Sequence, residues 1–121
     1  MFIAYEISKQ LIVSLRPLVP AIQSCDRELA DQLRRAAQSV LLNLAEGQKY
    51  QNGNRKKHYE IAQGSANEVK AALDAAEAWG WLETRGEERE LLDRLLAVLW
   101  KLTHAGLLQK PGERARCRDR Q

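Results

Sequence analysis

The sequence predicts an all-α protein, an antiparallel up-down-up-down four-helix bundle. Three observations carry that expectation. Four segments repeat apolar residues at intervals of three and four, no stretch alternates with the period of two that a half-buried strand requires, and the connectors are short enough to favour antiparallel neighbours. A chain of 121 residues is long enough for one hydrophobic core and too short for two.

The first segment runs from about residue 2 to 18, with Ile3, Ile7, Leu11 and Leu15 on one face and Pro17 and Pro20 expected to end it. The second begins near Asp26, where Asp26, Glu28 and Asp31 suit the positive end of a helix dipole. It buries Leu33, Ala36, Val40 and Leu44, and Gly47 offers a left-handed C-cap. A loop follows over residues 48–54, with Asn52-Gly53 as a turn-forming pair. The third helix is predicted to reach Trp79 and stop at Gly80, burying Ala62, Ser65, Val69, Leu73 and Ala76. Trp81 or Leu82 then folds back as the hydrophobic partner of a Schellman cap. The fourth runs from about 86 to 108, with Leu92, Leu95, Leu99, Leu102 and Gly106 at heptad-like spacing. Residues 1–108 thus make the bundle domain, and residues 109–121, QKPGERARCRDRQ, a basic tail.

Composition excludes several classes. Hydrophobic residues at 45% and charged residues at 29% are the values of an ordinary soluble domain, and no uncharged run has the length that spans a bilayer. Met1-Phe2-Ile3 lacks the basic and apolar regions of a signal peptide, so a cytoplasmic location is expected. Cys25 and Cys117 have neither CxxC spacing nor a paired framework, and free thiols suit a reducing compartment. His58 and His104 lack the helical spacing of metal ligands, so neither metal nor cofactor is expected. GxxxxGK[ST], GxSxG and GxGxxG are all missing, and Glu46 with Glu68 makes a carboxylate pair without a nucleophile or cleft. The reading is non-enzymatic, with no catalytic residues.

Charge is informative in its distribution. The up-down topology puts the 48–58 loop at the same end as both termini. That loop carries Lys49, Arg55, Lys56 and Lys57 with no acid, and the tail carries Arg114, Arg116 and Arg118 among its basic residues. At the other end Asp26, Glu28, Asp31, Glu83, Glu87, Glu88 and Glu90 outnumber Arg27, Arg85 and Arg89. A modest net charge of +3 therefore conceals a basic and an acidic pole. The basic loop and tail are candidate phosphate contacts for RNA or another single strand, with Tyr59 or Tyr50 available to stack on a base. The bland alternative is a solvated first helical turn.

A polar stripe flanks the buried face of the second helix: Gln32, Arg35, Ser39, Asn43 and Glu46. On the third helix Gly64, Glu68, Ala71 and Ala75 make a narrow face beside the core. The expectation is a hydrogen-bonded network of Arg34, Arg35, Ser39, Asn43, Glu46, Ser65 and Glu68 that fixes the register of the two helices; a ligand site is the alternative. Leu42 points away from the core stripe, and Trp79, Trp81 and Trp100 are more aromatic surface than one small bundle hides. Leu42, Trp79 and Trp81 are accordingly expected at a subunit interface.

The run RRAAQSVLLNLAEG, followed after the basic loop by IAQGSANEVKAALDAAEAWGWL, resembles the four-helix-bundle family of 23S rRNA intervening-sequence proteins. The matching positions are Arg34, Arg35, Ser39, Asn43, Ala45, Glu46 and Gly47, then Ile61, Ala62, Gly64, Ser65 and Glu68. Many members have Gly-Arg soon after the AEG, where this chain has Gln48-Lys49-Tyr50. The resemblance implies a ring-shaped homopentamer and an association with RNA in name and gene context. It is similar, more distantly, to bundle proteins that act as accessory partners of reverse transcriptases in diversity-generating retroelements. Self-association, RNA and a protein partner are thus the expected interactions; a membrane is not. The function read from all this is nucleic-acid binding at the basic pole, with a protein-docking scaffold as the alternative.

Overall fold

The computed structural model describes residues 2–82 and 86–104. Among them the chain is entirely helical, with five helices: α1 (Ile3–Leu15), α2 (Leu18–Gln23), α3 (Arg27–Gly47), α4 (Gly53–Ala78) and α5 (Glu87–Thr103). Helix α1 borders α3 and α5, and α4 borders the same two, so the long helices enclose one core. Ile7, Leu11, Leu33, Val40, Leu44, Val69, Leu73, Leu92, Leu95 and Leu99 are its fully buried aliphatic side chains, joined by Ile22 from α2. None of the described helices is long and apolar enough to cross a membrane.

The prolines act differently from the expectation. Helix α1 ends before Pro17, but Pro20 does not end a helix; it lies in the first turn of α2, where a missing N–H costs nothing. The resulting break bends the chain over α3. Between α1, α2 and α3 it leaves an apolar groove of about 550 Å³, lined by Ile12, Leu15, Val19, Pro20, Ala37 and Leu41, with Arg16 and Arg34 at its edges.

Asp26 caps α3, its Oδ1 accepting the Leu29 N–H at 3.0 Å. Gly47 is not the expected left-handed cap. It is helical and buried, and Gln48 after it still has right-handed helical angles. What Gly47 supplies is space: a Cβ there would stand 2.6 Å from Cε1 of Tyr59. Asn52-Gly53 is likewise no free turn, because Asn52 is the N-cap of α4, accepting the Asn54 N–H at 2.9 Å, and Gly53 is already helical. The C-terminus of α4 follows the sequence reading. Gly80 has φ +81°, its N–H reaches Glu77 O at 2.9 Å, and the Trp81 N–H reaches Ala76 O at 2.8 Å. These are the two bonds of a Schellman motif. Leu102 is only half-buried, and Gly106 and the 108/109 domain boundary lie outside the described residues.

Candidate nucleic-acid interface

The first turn of α4 sits where three chain segments meet. Phe2 packs on Tyr59 with ring centroids 5.7 Å apart, and Thr103 near the end of α5 donates from Oγ1 to Gln63 Oε1 at 2.9 Å. The start of α1, the 48–52 connection and the end of α5 therefore share one end of the molecule. Lys49, Arg55, Lys56 and Lys57 are all exposed there. Lys49 is 3.4 Å from Glu46, whose other oxygen accepts from the Tyr50 hydroxyl at 3.3 Å. Arg55, Lys56 and Lys57 have no ion pair among the described residues. No acid occupies the first turn of α4, so the positive end of the helix dipole adds to these charges.

Tyr59 does not take the role expected of it. It is 4% exposed, wedged between Phe2 and Gly47, and the Arg55 guanidinium lies over its ring, 5.9 Å from the centroid. A nucleobase has no access to either face. Tyr50 is half-buried and lies parallel to His58, with centroids 5.7 Å apart and 3° between planes, so the aromatic surface at this pole belongs to that pair. Arg114, Arg116 and Arg118 lie outside the described residues.

Behind the basic turn, α3 and α4 are joined by a continuous polar chain. Asn43 Nδ2 donates to Ser39 O at 2.9 Å and approaches Ser39 Oγ at 3.2 Å, so its Oδ1 is the acceptor for His58 Nδ1–H at 3.0 Å. Ser39 Oγ in turn meets Ser65 Oγ at 2.8 Å. The structure thus brings Ser39, Asn43 and Ser65 together and adds His58, which sequence reasoning left out. Arg34, Arg35, Glu46 and Glu68 stand apart from this chain. Arg34 pairs with Asp31 at 3.1 Å, and Arg35 Nε reaches only the Asp31 carbonyl at 3.4 Å. Glu46 serves Lys49 and Tyr50, and Glu68 is exposed with no hydrogen bond or ion pair to any described residue.

Sequence reasoning also missed Arg89. It is 8% exposed between α4 and α5, 2.9 Å from Asp74 and 2.6 Å from Glu77. Burial alone would lower its pKa; the hydrogen bonds and charges of Glu77 and Asp74 outweigh that and raise it. The available signal was position, since Arg89 falls three residues before Leu92 in the apolar stripe of α5. Glu88 beside it turns back to accept the Gly86 N–H at 2.9 Å. Glu88, one acid of the expected acidic pole, is thereby drawn into structure, as is Arg89, one of its few bases.

Of the side chains expected at an interface, Leu42 is 58% and Trp79 71% exposed, while Trp81 is half-buried and stacked on Trp79 with centroids 5.9 Å apart.

A model of the 23S rRNA-intervening sequence proteins matches residues 2–103. The chain belongs to that family. Its match covers every described helix, including α1 and α5, where the recognisable motifs are weakest. Among solved structures, this intervening-sequence family member is similar to a protein of unknown function from the S23 ribosomal protein family of Bacteroides thetaiotaomicron. The TM-score is 0.60 at 16% identity, over 88% of this chain and 99% of that one. At that identity the likeness is one of fold. Comparison with curated proteins gave no match. The polar seam of Ser39, Asn43 and Ser65 and the close approach of Tyr59 at Gly47 hold α3 against α4.

Proposed function

We propose that this protein is a non-enzymatic, cytoplasmic RNA-associated bundle that binds single strands through phosphate contacts at its basic pole. The observation that carries the reading is the first turn of α4: Arg55, Lys56 and Lys57 are exposed, without described acidic partners, at the N-terminus of a 26-residue helix. Oriented N–H groups and clustered cations there favour anions for the same electrostatic reason. Lys49 extends the patch, the parallel Tyr50 and His58 rings border it, and in sequence the tail adds Arg114, Arg116 and Arg118. The family's name points to RNA rather than to another polyanion.

The bundle is antiparallel in this reading. Ser39 faces Ser65 and Asn43 faces His58, so residue numbers rise along α3 as they fall along α4. Exposed Leu42, Ile61 and Trp79 support assembly of such bundles, and the family resemblance supports a ring-shaped homopentamer. A ring with parallel axes repeats the basic pole on one face and multiplies its potential.

The test is binding of RNA and single-stranded DNA across a salt series. Affinity is expected to fall with a log-log slope of about −0.7 per phosphate contact and to depend weakly on sequence. Replacing Arg55, Lys56 and Lys57 by Ala flattens the slope while leaving helical content unchanged. A parent protein that binds neither polymer at low salt overturns the reading. The exposed Trp79, stacked on half-buried Trp81, favours a second reading, a scaffold that docks a protein partner through an aromatic surface. Purified protein free of nucleic acid, with an absorbance ratio to match, would favour that one.

A further inference from the structure

We infer that the outer edge of α4 from one copy docks in the groove between α1, α2 and α3 of a second copy, with Glu68 of the first meeting Arg16 of the second. The inference rests on the self-association just proposed and supplies its contact. The groove holds about 550 Å³ of mostly apolar space, and Arg16 at its edge has no ion pair or hydrogen bond to any described side chain. The outer edge of α4 has the complementary features. Ile61 and Trp79 are exposed, the small residues Gly64 and Ala71 lie between them, and Glu68 stands at the centre without a described partner. Small residues let a helix backbone sit deep against a groove, and a lone carboxylate and a lone guanidinium that meet there lose water together rather than separately.

The levels match as well as the chemistry. Ser39 touches Ser65, so Glu68, one turn further along α4, lies about 4.5 Å beyond that level. That places it beside the span of α3 between Arg34 and Gln38, which lines the groove. For copies side by side with parallel axes, Glu68 then faces the two arginines, Ile61 the end marked by Ile12 and Leu41, and Trp79 the end marked by Val19 and Pro20. The edge and the groove are different surfaces of one molecule, so the contact is head-to-tail.

The test measures the mass of the full chain by light scattering over a micromolar dilution series. Glu68→Arg and Arg16→Glu should each move dissociation to concentrations more than about tenfold higher, because a like-charged pair is then forced into the contact. The double variant should recover most of the loss. Ala71→Arg, which blocks the small-residue face sterically, should dissociate the assembly without rescue, and Trp100→Ser on α5 should leave it intact. Helical content by circular dichroism should be the same throughout. If the parent assembles and both charge reversals and Ala71→Arg leave its mass unchanged, this contact is wrong while self-association stands. If the reversals dissociate it but the double variant does not recover, the Glu68–Arg16 pairing is wrong. A monomeric parent overturns self-association itself.

Discussion

Asn43 uses both ends of its amide, giving two hydrogens towards Ser39 and taking one from His58, and no substitute of similar size does both. Asn43→Ala leaves His58 Nδ1–H and the Ser39–Ser65 pair without it, and is expected to cost about 1–3 kcal/mol. Ser65→Ala removes one neutral bond and should cost about 1 kcal/mol, so chemical denaturation of the two variants should rank them in that order. Gly47→Ala sets two effects against each other. Alanine raises helix propensity by about 1 kcal/mol, but its Cβ would lie 2.6 Å from a Tyr59 ring that is itself buried against Phe2. Overpacking of a buried aromatic costs about 1–3 kcal/mol, so the expected outcome is a lower Tm. The stripe of Ser39 and Asn43 was visible in the sequence because helical spacing places them on one flank. The exclusion of Arg34, Arg35 and Glu68 was not, since long side chains choose partners on their own helix or in solvent, and spacing does not record that choice.

At the level of helices, the turns were the least legible part. Apolar spacing located the four long segments, and Gly80 marked its cap correctly because a left-handed residue followed by a bulky apolar one has few other uses. Gly47 and Asn52-Gly53 carry the same signals for different reasons, a close helix approach in one case and an N-cap in the other. Gly80→Ala forces a β-carbon into φ +81° and should destabilise by about 1–2 kcal/mol, read as a shift in the urea midpoint at unchanged m. Between α4 and α5, Arg89→Ala leaves Asp74 and Glu77 without their shared cation and should cost about 1–3 kcal/mol. Burial would lower the pKa of Arg89, but its hydrogen bonds and charge pairing with Glu77 and Asp74 raise it above the ordinary arginine value. A raised pKa gives stability that is complete below the unfolded value and lost only as pH passes the folded one. Thermal scans from neutral to mildly alkaline pH should therefore show no transition that disappears in Arg89→Ala.

Across the whole molecule, charge is organised more by helix ends than by helix faces. The basic pole collects residues from the start of α4 and its preceding loop, whereas at the other end Glu88 turns inward to cap Gly86 and Arg89 is taken up by Asp74 and Glu77. Charge reversal of Glu87, which stays exposed, should alter nucleic-acid affinity far less than loss of Lys56 and Lys57. The extensive packing of α3 on α4 across a five-residue connection bears on how the chain reaches this arrangement. Contacts close in sequence form with little loop entropy to overcome, so this hairpin is expected to be structured in the folding transition state, before α1 returns to close the core. Val40→Ala and Val69→Ala should slow refolding in stopped-flow experiments. Ile7→Ala should chiefly hasten unfolding. Equal φ-values at all three positions would argue instead for a core that condenses at once.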